Sequence, residues 1–110
     1  MEQKKIPVIV CIDVEPDGPV HGPARLPEWS GYEEARRFFN GMCPGFSSST
    51  GSPAHVSWFY RMDPQIANVY GSGTRPVTAY PDYVADFENK GDVFGLHTHL
   101  YRFDAERDVC

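Results

Sequence analysis

Three short apolar runs constrain most strongly what this 110-residue chain can fold into. They are "IPVIVCID" from Ile6 to Asp13, "AHVSWFYRM" from Ala54 to Met62, and "DVFGLHTH" from Asp92 to His99. Each has strand length and is rich in β-branched and aromatic residues. The first is apolar on both faces, the pattern of a central strand in a parallel sheet covered by helices. The stretch after the first run can be neither helix nor interior strand. "EPDGPVHGPARLPEWSG", Glu15 to Gly31, carries four prolines and three glycines and reads as a long loop. Structureless connections of that length are uncommon and often functional.

A helix follows the loop. Ser30 and Glu33 stand at capping-box spacing, and Ala35, Phe38, Phe39 and Met42 share one helical face. Gly41 and Pro44–Gly45 are expected to end it, with "SSSTGSP" as a short low-complexity loop. "DPQIANVYG" predicts a second, short helix with Asp63 as N-cap, Pro64 at its first position and Gly71 as its stop. "YPDYVADFENKGD" repeats this grammar: Pro81 opens a helix, Tyr83, Val84 and Phe87 line one face, and Gly91 ends it. Strands alternating with helices imply right-handed crossovers and a parallel sheet, the α/β class, in one domain spanning 1–110.

Charge and cysteine content exclude several functions. The net charge is −5, and Lys4–Lys5 and Arg36–Arg37 are ordinary solvated pairs. Nucleic acid and anionic membrane, which are bound through clustered Lys and Arg, are therefore not expected partners. Cys11, Cys43 and Cys110 have no CxxC spacing, which argues against a disulfide framework or a cysteine zinc site. Cys11 reads as a small buried hydrophobe. The N-terminal apolar run is short, contains Pro7, ends at Asp13 and lacks a small-residue cleavage site, so it is read as a strand and not a signal peptide. No stretch has membrane-spanning length, and a cytoplasmic protein is expected.

The chemistry sits at strand ends. In α/β folds the active site lies beyond the carboxyl ends of the strands. The first run ends in "IDVEPD" and the third in "HTH". Alternation with period two puts Asp13 and Glu15 on one face, with Asp17 two residues further, and puts His97 and His99 on one face. Two histidines and a carboxylate form a common hydrolytic metal set, with a position left open for water. A further carboxylate off the metal can take that water's proton. The same residues also suit hydrogen-bonded polar positions at a sheet edge. His21 and His55 read as a solvated loop residue and a polar strand start. Trp58, Phe59 and Tyr60 read as core, and Asp63 as a cap more than a catalyst. Trp29, in the long loop, is the candidate for stacking on substrate, against a role as loop anchor. Arg102 and Asp104 could orient a histidine or pair on the surface.

"IDVEPD" with the late "GDVFGLHTH" resembles the first two motifs of the polysaccharide deacetylase family, of NodB-homology or carbohydrate esterase family 4 type. "WFYRMDPQI", "VYG" and "KGDVFGLHTHLYRFD" add to the likeness, which covers Val8 to Asp17 and most of the chain after Val56. The resemblance implies that Asp13 is the catalytic base and His97 the first histidine of the metal-binding box. It implies a divalent metal ion, zinc first, and hydrolysis of a C–N amide bond on a carbohydrate or small amide substrate. Two positions depart from the family pattern. Val14, not an acid, follows Asp13, which leaves the metal carboxylate open between Glu15 and Asp17. The usual second histidine, four residues after the first, is Tyr101 here, so His99 is the candidate replacement. The family fold is a distorted (β/α) barrel whose later strands bring an arginine motif and a histidine general acid. The chain thus resembles the N-terminal part of such a domain, to be completed by a missing C-terminal half or by a homo-oligomer. The alternative is a catalytically inactive or incomplete α/β module with a binding or structural role. An amidohydrolase-type barrel also has HxH, but after its first strand, whereas two strands precede it here.

Overall fold

The computed structural model describes residues 6–18, 20 and 26–99. Their order is β1 (Val10–Val14), α1 (Ser30–Thr50), β2 (Val56–Arg61), α2 (Pro64–Tyr70), α3 (Arg75–Thr78), α4 (Pro81–Asn89) and β3 (Val93–His97). The strands form one parallel sheet in the order β1-β2-β3. The fold is therefore α/β, as the alternation of strand and helix patterns predicts, with α3 as an additional short helix.

The register explains which residues are core. Val10 pairs with Val56, Ile12 with Trp58 and Val14 with Tyr60, and Trp58 and Tyr60 pair in turn with Phe94 and Leu96. On β1 and β2 this even-numbered face packs against the helices, while Phe94 and Leu96 on β3 stay exposed. Val14, Val56, Trp58, Tyr60, Tyr32 and Phe87 are all buried in one cluster. Trp58 stacks on Phe87 with ring centroids 4.1 Å apart, and Tyr32 lies edge-on to Trp58, Tyr60, Tyr80 and Tyr83 at 5.2–5.9 Å. The Tyr32 and Tyr60 hydroxyls share a buried 2.8 Å hydrogen bond. At the other end of β2, Asp92 accepts from Val56 N and from Trp58 Nε1. These contacts tie α1, α4 and β2 into one core.

Among the described residues, the odd-numbered face is open. Cys11, Asp13, Ser57, Phe59, Val93 and Gly95 lie in its rows, and Cys11, Asp13 and Val93 are exposed. Gly95 is fixed by this pairing, because a Cβ there would meet the Phe59 ring at 2.6 Å. Glycine in a strand often marks such a close approach.

Four expectations are corrected. The first apolar run is not a central strand: β2 occupies the centre, β1 is an edge, and Ile6, Val8 and Ile9 are exposed ahead of it. Cys11 is exposed and not buried, because it faces the open side. Helix α1 does not stop near Gly41 but runs through Pro44 to Thr50, ending where Gly51 takes a left-handed φ of 72° and donates to Ser47 O. A proline removes a single N–H from the ladder and an αL glycine supplies a stop, so the second signal governs here. Finally, Ser30 is not the N-cap; it is the first helical residue, behind Trp29. Of the expected α1 face, Ala35 and Phe39 pack on the core while Phe38 is exposed. Helices α2 and α4 follow the sequence reading, with Asp63 capping Ile66 N and left-handed Gly71 and Gly91 at their ends.

Candidate metal centre

Two ladder spacings separate β1 from β3, roughly 9–10 Å. The gap closes only above the end of β2, where the chain turns away at Asp63 into α2. Glu15, one residue beyond β1, and His97, the last residue of β3, reach toward each other across it. His99, two residues further, joins them. Glu15 Oε1 lies 2.8 Å from His97 Nε2 and 3.1 Å from His99 Nε2, and the two Nε2 atoms are 3.0 Å apart. Among the described residues, Glu15, His97 and His99 are the group of His, Cys, Asp or Glu side chains able to share an ion. All three are half-buried.

This donor set fits a divalent cation. Ligands about 2.0–2.1 Å from a tetrahedral zinc ion stand about 3.3 Å from one another, and two imidazoles with one carboxylate suit it chemically. The observed separations are a few tenths shorter, as for donors in contact. Protons alone satisfy the triangle poorly. Each Nε2 carries at most one proton, so two protons must serve three contacts and one edge is always left without a hydrogen bond. Three inward lone pairs around a cation leave no such deficit.

The other expected residues fall as follows. Asp13 is on the exposed side of the group, with Oδ1 3.8 Å from His97 Nδ1. His97 therefore sits between two carboxylates, one at each ring nitrogen. Asp17 is not brought to the group. Its carboxylate accepts from Ser30 N and Gly31 N at 2.9 Å each and from the Ser30 hydroxyl, so it caps α1 across the long loop. Desolvation disfavours its charge, but these three donors outweigh it and hold the carboxyl below its ordinary value. The departure from the sequence reading is physical: Pro16 and the following turn aim Asp17 away from Glu15, toward the orphan N–H groups of α1. Of the two acids left open in the sequence, Glu15 is the one placed beside His97 and His99.

Trp29 is buried at 3% exposure against Tyr70, with ring centroids 5.6 Å apart. It lines a pocket of about 420 Å³ with Glu28, Glu33, Tyr70, Arg75 and Tyr80, a buried placement of the kind the loop-anchor reading describes. His55 lies beside Asp92 at the opposite end of the sheet. His21, Tyr101, Arg102 and Asp104 lie outside the described residues.

Sequence reasoning missed what lies beneath the group. Asp63 Oδ2 accepts from His99 N at 3.0 Å and from Arg61 Nε at 2.9 Å, while Oδ1 accepts from Ile66 N. Burial opposes its ionisation, yet the bonds from Ile66, Arg61 and His99 prevail and hold its carboxyl below the usual value. The signal was available: "RMDP" ends the middle strand at the same end of the sheet as "IDVEPD" and "HTH". No helix of the described residues is long and apolar enough to cross a membrane. No protein-family model matches the chain, and no curated protein and no solved structure matches it.

Proposed function

We propose that this chain is a divalent-metal-dependent hydrolase of polysaccharide deacetylase type, or the N-terminal part of one, that removes an acyl group from an amide on a carbohydrate-like substrate. The observation that carries the reading is the convergence of Glu15, His97 and His99, with donor atoms 2.8–3.1 Å apart beyond the carboxyl ends of the strands. Glu15, His97 and His99 would hold the ion, zinc by the preference of this donor set. A bound ion supplies Lewis acidity to the acyl oxygen and lowers the pKa of water. Asp13, exposed beside His97, takes the proton of the attacking water.

The sequential parallel order β1-β2-β3, with helices on one face and the other face open, supports reading the sheet as part of a distorted (β/α) barrel. Further strands, from a C-terminal half or from a second copy, would then close over Asp13 and Phe59. The partners on this reading are a carbohydrate or small amide, with no nucleic acid and no membrane, in the cytoplasm.

A second reading, a catalytically inactive module with a binding or structural role, is favoured by one observation: Val93, Phe94 and Leu96 on β3 are all exposed. Metal analysis separates the two. The hydrolase reading expects stoichiometric zinc in the parent chain, little in the His97→Ala/His99→Ala variant, and release of acetate from an N-acetylated oligosaccharide by the parent alone. Equal, negligible metal in both proteins would sink it, and specific glycan binding without hydrolysis would leave the module.

A further inference from the structure

We infer that Asp63 is a positioning residue for the candidate metal centre, setting the second imidazole in place from beneath. The inference rests on the metal-centre reading above and extends it to a buried residue. His97 is the last residue of β3 and stands in register with Arg61. His99 lies two residues beyond the ladder, so strand pairing does not hold it. Its backbone N–H instead donates to Asp63 Oδ2 at 3.0 Å. Asp63 is 6% exposed, and its two oxygens take three donors, from Ile66 N, Arg61 Nε and His99 N.

The carboxylate is itself held from behind. Arg61 donates to the Gln65 side-chain oxygen, and the Gln65 amide donates to the Val20 carbonyl. Arg61 and Gln65 are both buried. Val20 belongs to the connection that begins at Glu15, the carboxylate member of the group. A buried chain of hydrogen bonds therefore runs from the segment following one ligand to the backbone of another. A carboxylate that serves only as a helix cap needs the Ile66 contact alone. The second oxygen, shared between Arg61 and His99, is what joins the cap to the site. Outer partners of this kind orient metal ligands, and their loss typically weakens metal binding 10–100-fold.

The test uses Asp63→Ser in the full chain. Serine keeps an N-cap oxygen for Ile66 N but has no second oxygen for His99 N. Zinc titration calorimetry is expected to show binding weakened about tenfold or more relative to the parent. The visible spectrum of the cobalt-loaded variant should change in intensity, reporting an altered ligand geometry that lost stability alone would not produce. Should the serine variant not fold, Asp63→Asn retains the shape and sets an amide donor against the two N–H groups, with the same expectation. The His99 amide reports the bond with no metal present: in the parent it should exchange slowly, and in either variant its proton resonance should move upfield. A folded variant that binds zinc as the parent does, or a His99 amide that exchanges freely in the parent, overturns the inference. A parent chain that takes up no zinc overturns the metal centre itself, and the amide tells that failure from this one.

Discussion

At the scale of single residues, the division of labour between Asp13 and Glu15 is the sharpest consequence of the geometry. Both are carboxylates on one face of the same strand end, yet Glu15 touches both Nε2 atoms while Asp13 stands 3.8 Å from the far nitrogen of one ring. Glu15→Gln is therefore expected to abolish zinc uptake, because a neutral amide is a poor ligand beside two neutral imidazoles. Asp13→Asn should retain zinc within about threefold and lower kcat by about 10²–10⁴, the range of a general base. If Asp13→Asn instead weakens zinc binding 10–100-fold, Asp13 orients His97 and is not the base. Zinc titration and single-turnover hydrolysis of the two variants decide this. The pairs themselves were legible in the sequence, because alternation with period two fixes the shared face of Asp13 with Glu15 and of His97 with His99. Asp63 was legible as the cap of α2 and by its place at the end of the middle strand, but the bond from Gly31 N to Asp17 and the one from His99 N to Asp63 were not. Both join a side chain to a backbone N–H distant in sequence, and no local pattern encodes such a partner.

At the scale of elements, α1 shows how a long connection is tied to the sheet. The turn after Pro16 brings Asp17 to the first N–H groups of α1, and Asp17 N donates in return to Glu28 O at 2.8 Å. The helix thus receives its cap from the far end of the loop, where the sequence offered a local capping box at Ser30 and Glu33. The sequence located the start of α1 to within one residue but misidentified the group that satisfies it. Its end was misplaced because Pro44, Gly45 and a serine run are all strong stop signals, while Gly51, which acts as the stop, looks like one more small residue of that run. Asp17→Ala should lower the unfolding free energy by about 0.5–2 kcal/mol, the cost of losing an N-cap. It should leave zinc affinity unchanged, since the side chain is not part of the group around Glu15. Urea unfolding followed by circular dichroism reads the first quantity and calorimetry the second. A loss of zinc affinity without a loss of stability would return Asp17 to the site.

At the scale of the whole molecule, the described residues bury one face of the sheet and leave the other uncovered. The helices cover one sheet face, and the apolar content of β1, which suggested a central strand, reports a covering that the described residues do not supply. Stability is therefore concentrated on the even-numbered face, around Tyr32 and its shared hydroxyl bond to Tyr60. Burial pushes the Tyr32 phenol well above the ordinary tyrosine value of 10.0 and raises that of Tyr60, where the nearby Asp92 adds to the rise. The sign of the consequence follows. A group whose folded-state pKa is raised stabilises fully below its unfolded pKa and less as pH climbs past it, since the unfolded chain then releases protons the folded one keeps. Each phenol should cost up to about 1.4 kcal/mol per pH unit above about pH 10. Replacing both, in Tyr32→Phe/Tyr60→Phe, removes the bond without stranding a hydroxyl and should change stability at neutral pH by less than about 1 kcal/mol. Either single replacement strands its partner and should cost about 1–3 kcal/mol. Above pH 10 the double variant should lose stability less steeply than the parent. Urea denaturation across that range measures both slopes, and parallel slopes would place the alkaline sensitivity of the fold outside this pair.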